Sequence, residues 1–267
     1  DSSVELCRAD HLWGKDTFDT ADILWAELGS REYDIAAIGP AGENLVRYAC
    51  VIGNKYAAYG RAGLGAVMGS KNLKAIAVYG SGEVPVANIG HFLRETKEAT
   101  RAIMSDEEGI RVWRSGGTWG WITDQIKKGG SRMFSAPQNP NSEVFQDGKL
   151  EHRFEKRVVS CPGCPIGCKA HLKLKDGRGK YPGMDFALGC TGGTMNLTFG
   201  SAMGVQAYDD IARCAELSQR YGVDTMSAAG MIAWTIELFE HGILTETDMD
   251  GITPAWGDHE FIFKMLS

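Results

Sequence analysis

Three cysteines fall within eight residues at Cys161-Pro-Gly-Cys164-Pro-Ile-Gly-Cys168, a C-x2-C-x3-C spacing. Thiolates this close repel one another unless they converge on one cationic centre. Pro162, Gly163, Pro165 and Gly167 oppose helix and strand and predict a turn that aims the sulfurs inward. An iron–sulfur cluster takes Cys thiolates in such runs. A structural zinc site pairs C-x2-C with a second ligand pair, and no second pair with that spacing is present, although His171 is near. A purely structural turn is the third reading. Radical enzymes that use S-adenosylmethionine carry the reverse order, C-x3-C-x2-C. A four-iron cluster needs a fourth thiolate, either Cys190 or a ligand beyond residue 267.

A glycine-rich stretch, Gly60-Arg61-Ala62-Gly63-Leu64-Gly65-Ala66-Val67-Met68-Gly69-Ser70-Lys71, supplies a second candidate site. Glycines let backbone N–H groups approach phosphate closely. Arg61 and Lys71 would add positive charge. The stretch fits neither G-x-G-x-x-G nor G-x-x-x-x-G-K-[ST], and a tight turn between packed elements explains it equally well. Two acids complete the set. Asp185 lies in Tyr181-Pro-Gly-Met-Asp185-Phe, and Asp224 follows Gly222-Val223. Solvated turn or cap roles are the ordinary alternative for both. Trp119 and Trp121 read as core or interface, and His11 and His171 as satisfied structural residues.

The elements that position these groups form an α+β pattern. Asp16 to Leu28 is helix-like, with Phe18, Ile23, Leu24 and Leu28 on helical spacing. Tyr33 to Ile38 predicts a buried strand ended by Gly39-Pro40, and Leu73 to Tyr79 a second strand. Gly80-Ser-Gly-Glu-Val-Pro85 is the best linker. It divides a β-rich portion, residues 1–84, from a mainly helical portion, residues 85–267. Phe92, Leu93, Ala99, Ile103 and Met104 mark one helix face. A polar loop runs from Ser135 to Lys149. Lys169 to Lys175 alternates and meets Asp176-Gly177, a hairpin signal. Tyr208, Ile211, Ala212 and Ala215 mark another helix with Gly222 as its C-cap. Ser227 is the expected N-cap of a last helix through Met231, Trp234, Leu238 and Phe239 that ends at Gly242.

The 267 residues carry a net charge of −6 and a pI near 5.6, the wrong sign for a nucleic-acid partner. No run of about 18 apolar residues exists, so no helical membrane span is expected. Seven cysteines, mostly scattered, argue against a secreted disulfide framework and for a reducing cytoplasm.

Three blocks together resemble the aldehyde:ferredoxin oxidoreductase family of tungsten enzymes. They are Ile38-Gly-Pro-Ala-Gly-Glu-Asn-Leu45, Tyr59-Gly-Arg61 through Lys71-Asn-Leu-Lys-Ala-Ile-Ala-Val78, and the cysteine triplet. Gly222-Val-Asp-Thr225 and Glu237 through Leu244 continue the likeness. The resemblance implies an internal piece of a longer chain, the later part of a first, cofactor-cradling β domain joined to most of a helical second domain. It implies a tungsten or molybdenum bis-pterin with a [4Fe-4S] cluster close by. The implied reaction is oxidation of an aldehyde to a carboxylic acid, with electrons passed to ferredoxin or another carrier. An oligomer is implied as well.

Carried over by position, Cys161, Cys164 and Cys168 are implied as three cluster ligands, the fourth coming from a domain outside this sequence. Arg61, Ala62, Gly63 and Leu64 are implied to line the pterin pocket, the Ala62 carbonyl facing a magnesium that bridges the pterin phosphates. Gly222, Val223 and Asp224 match the end of an Asp-x-x-Gly-Leu-Asp pterin-contact motif. Asp185 falls where the family has a Glu beside the tungsten. Two departures stand out. Gln219 replaces the first Asp of the pterin motif, and Asp185 is one methylene short, which moves a carboxylate by about 1.5 Å. These departures bring in the tungsten subunit of class II benzoyl-CoA reductases as an alternative, with an acyl-type substrate. A non-catalytic iron–sulfur electron-transfer subunit is a further one.

Overall fold

Asp16 starts the first helix. Its carboxylate accepts from the N–H groups of Phe18 and Asp19 at 2.8 Å each, satisfying two of the donors that a helix start leaves open. The helix, α1, runs Thr17–Leu28. The computed structural model describes residues 3–111, 113–114, 154–175, 179–188 and 196–267. Trp119, Trp121, the 135–149 loop, Asp176-Gly177 and Cys190 lie outside the described residues.

By contact the chain divides into two units, Asp1–Tyr79 with Ser218–Ala228, and Gly80–Leu217 with Ala229–Ser267. The first holds a four-stranded antiparallel sheet. Its strands are β1 (Asp34–Ala37), β2 (Ile52–Gly53), β3 (Ala57–Ala58) and β4 (Ala75–Val78), in the order β3-β2-β1-β4. Ile35 and Ala37 on β1 are buried with Ala21 of α1, and Leu24, Trp25 and Tyr33 pack around them. Alternation sends these side chains to one face of the strand. Both strands expected from the apolar runs are present. Two short helices follow the sheet's loops, α2 (Pro40–Glu43) and α3 (Leu64–Ser70).

The second unit opens with α4 (Ile89–Met104). Its expected apolar stripe exists, but no residue of the helix is buried, and Phe92 and Leu93 are more than half exposed. A three-stranded antiparallel sheet follows, β5 (Phe154–Val159), β6 (Lys169–Leu174) and β7 (Asp185–Leu188), in chain order. Ala170, Leu172 and Leu174 are buried on one face of β6, which turns Lys169, His171 and Lys173 to the other. After a π-helical turn at Asn196–Ala202 come α5 (Tyr208–Tyr221), α6 (Thr225–Glu240) and α7 (His259–Leu266).

The α5 reading holds: Ile211, Ala212 and Ala215 are fully buried. Gly222 ends the helix at φ +73°. Its N–H donates to Gln219 O, and the Val223 N–H donates to Ser218 O, the paired bonds of a left-handed C-cap. The α6 reading needs two corrections. Its N-cap is Asp224, which accepts from the Ser227 N–H at 2.8 Å, and Ser227 lies inside the helix. Its buried face is Ala228, Ala229, Ile232, Ala233 and Ile236, whereas Met231 and Trp234 are exposed. The helix is apolar nearly all round, so periodicity offers two stripes, and the alanine-rich one permits the closer approach. The mixed α+β class expected from the sequence is the class observed. Among the described residues no helix is long and apolar enough to cross a membrane.

Candidate functional site

In the first unit, Arg61 and Asp224 meet although 163 positions separate them. Arg61 Nε lies 3.1 Å from Asp224 Oδ2, and Nη2 lies 3.4 Å from Ser227 Oγ. The Asp224 side chain is 3% exposed and the Arg61 side chain 66%, so a fixed carboxylate holds one edge of a guanidinium that faces solvent. The backbone explains how. Residues 222–224 run antiparallel to 48–50: Cys50 N–H donates to Gly222 O at 2.7 Å, and Asp224 N–H to Tyr48 O at 3.1 Å. Cys50 sits beneath, with Sγ 3.1 Å from Gly60 O. Burial, reinforced by the Asp224 charge, pushes its thiol up to about 12, against the opposing pull of Arg61. Its use here is packing.

The glycines of this stretch divide by role. A Cβ on Gly63 would stand 2.4 Å from Arg47 O, one on Gly65 2.7 Å from Cys50 O, and one on Gly69 1.9 Å from Gly42 O. These three let α3 lie directly on the 42–50 backbone, which is the tight-turn explanation. Gly60, at φ +55°, has open space where a Cβ would be. Arg61, Ala62 and Leu64 are exposed around it, whereas Gly63 is buried. An exposed donor fork beside an apolar rim and an open glycine suits a flat, polar-edged group such as a pterin. Gly222 and Val223 shape the backbone that carries Asp224. Lys71 is the C-cap of α3, whereas Arg61 precedes its N-terminus.

In the second unit the cysteine triplet occupies the β5–β6 hairpin loop, residues 160–168, closed by the Val159–Lys169 pair. Gly163 at φ +72° and Gly167 at φ +67° make its bends. All three thiols are free of disulfides, Cys161 exposed and the other two partly exposed. The backbone N–H groups of Ile166 and then Gly167 hold the Cys164 thiol below its usual range. Arg114 clamps the loop, donating to Pro165 O at 2.8 Å and to Ile166 O at 3.2 Å. Unpaired thiols on one loop, one of them receiving two backbone N–H groups, are donors of the kind an iron–sulfur cluster takes. Among the described residues, no group of three or more His, Cys, Asp or Glu side chains is gathered closely enough to hold a metal ion. The donors fit a cluster by chemistry and are not drawn together around a common point.

Asp185 begins β7, opposite Lys173 of β6. Its Oδ1 lies 2.5 Å from His171 Nε2, and its N–H donates to Glu216 Oε1 at 3.3 Å. Glu216 is buried and paired with Arg213. The sequence reading missed His171 as this partner, because the contact depends on the β6–β7 register, which places His171 two positions from the mate of Asp185. It also missed a cluster on buried Asp210, which accepts from Lys180 Nζ at 2.9 Å and Tyr181 OH at 2.5 Å.

Comparison with known proteins gives the family. Residues 1–80 match the N-terminal domain of aldehyde ferredoxin oxidoreductase, and residues 94–267 match its domains 2 and 3. The chain belongs to the aldehyde ferredoxin oxidoreductase family. It is 34% identical to the tungsten-containing aldehyde ferredoxin oxidoreductase of Thermococcus kodakarensis, over 98% of this chain and 42% of that protein. It is 31% identical to the protein of the same name from Pyrococcus furiosus, with the same coverage. The chain therefore spans less than half the length of these relatives. A solved structure, the active site complex BamBC of benzoyl coenzyme A reductase with 1,5-dienoyl-CoA, superposes with a TM-score of 0.70 at 26% identity, over 96% of this chain and 39% of that one.

Proposed function

We propose that this chain is part of a cytoplasmic tungsten–pterin, iron–sulfur oxidoreductase that oxidises an aldehyde to a carboxylic acid and passes the electrons to ferredoxin. The observation that carries the reading is the thiol loop, with three unpaired cysteines held on one hairpin turn by Arg114. Cys161, Cys164 and Cys168 would hold the cluster. Arg61, Ala62, Gly63, Leu64, Gly222, Val223 and Asp224 would form the pterin-cradling side, within residues 1–84 and the segment that folds against them. The Ala62 carbonyl would face magnesium. When bound, the metal–pterin group supplies a two-electron acceptor and the cluster a single-electron relay.

The chain's own residues supply placement and proton handling. Adding water oxygen to an aldehyde gives the acid and releases two protons and two electrons. Asp185, as carboxylate, takes up one of those protons at the oxygen that adds. Arg61 would donate to the polar edge of the pterin while Asp224 keeps its guanidinium in place. Iron and tungsten analysis of the full-length protein, purified without oxygen, tests the cofactor reading; iron and tungsten together support it, and zinc alone ends it. Asp185→Asn should cut aldehyde turnover while tungsten is retained.

A second reading is a benzoyl-CoA reductase-type tungsten subunit. The superposition with the benzoyl coenzyme A reductase complex and the shortened acid Asp185 favour it. Reduction of an aromatic thioester, with no aldehyde oxidation, would select it. Iron without tungsten would select a non-catalytic electron-transfer subunit, the reading that neutral Gln219 encourages.

A further inference from the structure

We propose that His171 is a positioning residue that fixes the carboxylate of Asp185 for proton uptake, an inference that rests on the role given to Asp185 above. Asp185 is held from at least two directions. Its main chain is pinned by α5, through Glu216 Oε1 on its N–H, with Arg213 holding Glu216. Its side chain is pinned by β6, through His171 Nε2 at 2.5 Å from Oδ1. Both side chains are about three-quarters buried, His171 at 23% exposure and Asp185 at 25%. At that burial a fixed partner decides which way a short carboxylate points.

The sheet sets up the contact. Lys173 is the register mate of Asp185, and Ala187 that of His171. The acid and the imidazole are diagonal neighbours on one face, a spacing that long or ring side chains bridge. An ionised carboxylate only accepts, so Nε2 carries the proton and donates it. Among the described residues, charged groups on the neighbouring elements include Arg157 of β5, opposite His171; Lys169 and Lys173 of β6; and Arg213 and Glu216 of α5. An acid that reaches one methylene less than Glu has fewer poses from which to meet substrate. Holding it in one of them is worth more here than for a longer side chain.

The test uses the full-length holoenzyme and three variants, His171→Phe, His171→Gln and Asp185→Asn. With His171→Phe, kcat should fall about tenfold, KM should stay within about twofold, and metal content should be unchanged. With His171→Gln, which keeps an N–H donor on the side chain, most of kcat should return. Crystal structures give a readout apart from turnover: the Asp185 carboxylate keeps its rotamer in His171→Gln and leaves it in His171→Phe. Should His171→Phe fail to fold, the Gln variant set against His171→Ala carries the same comparison. Parent kcat and an unmoved Asp185 in the Phe or Ala variant would overturn the proposal. If Asp185→Asn keeps full turnover, the underlying role of Asp185 fails instead. If Asp185→Asn is inactive while removal of the imidazole is silent, only the present inference fails.

Discussion

Glu43 and Lys74 form an ion pair inside the first unit, with Nζ 2.5 Å from Oε1 and the lysine side chain wholly buried. Lys74 Nζ also donates to Lys15 O at 2.7 Å, and the Glu43 carboxylate accepts from the Gly14 N–H. The pair ties α2 to the start of β4 and to the loop before α1. Breaking a buried pair strands a charge, so Lys74→Met should cost about 3–5 kcal/mol. Adding Glu43→Leu should recover part of that loss and no more, because Lys15 O stays without its lysine donor and Gly14 N–H now loses its carboxylate acceptor. Urea unfolding of the two single variants and the double variant measures the coupling.

Alkaline stability should depend on Cys50. Its thiol is pushed up to about 12 in the folded chain, chiefly by burial, from an ordinary value of 9.0. As pH rises through that interval the unfolded thiol ionises first, so the unfolded state binds fewer protons and stability falls. The slope approaches about 1.4 kcal/mol per pH unit. Lys74 acts with the opposite sign, since burial holds it below 10.5 and its folded form deprotonates first. The difference between Cys50→Ala and the parent therefore isolates the thiol. Unfolding free energies from pH 8 to 11 should diverge less in the variant; parallel curves would remove Cys50 as the cause.

Asp224 and Arg61 should separate stability from cofactor retention. Asp224 caps α6, so Asp224→Ala should cost about 1–2 kcal/mol from the cap alone. Arg61 is mostly exposed, and its loss should cost under about 1 kcal/mol. Pterin retention should nevertheless drop in Arg61→Ala. Thermal melts and pterin assay on the same preparations decide it.

Arg114 should govern how well the thiol loop loads. Its guanidinium spans two successive carbonyls from two nitrogens held in a fixed fork, a geometry that a flexible ammonium does not pre-organise. Arg114→Lys and Arg114→Ala should both lower iron per chain at unchanged urea midpoint. Full iron loading in Arg114→Ala would show the loop to be self-supporting.

What the sequence disclosed followed from local rules. Asp16, Gly222 and Gly242 stand at helix ends because caps are short-range chemistry. The apolar runs around Ile35 and Ile76 became paired strands. Arg61 and Asp224 were each visible as residues, but their contact arises from the 48–50 and 222–224 backbones pairing across the chain. The buried face of α6 escaped because Met231 and Trp234 outweigh alanines on any hydrophobicity count, whereas packing selects for size. Gly63, Gly65 and Gly69 read equally as a phosphate cradle or as a tight turn, because backbone approach between α3 and the 42–50 segment requires the same residue. The His171 contact needs a register, which no local pattern supplies.

β6 joins the sulfur-bearing turn at Lys169 to the acid's register mate at Lys173, a run of about 13 Å at strand rise. One ribbon thus acts as a common ruler for the end proposed to carry electrons and the end proposed to carry a proton. A slip of one residue would swing His171 inward and Leu172 out to water. Shortening or lengthening the hairpin tip is therefore never a change to sulfur chemistry alone, because it drags the carboxylate's neighbour along with it.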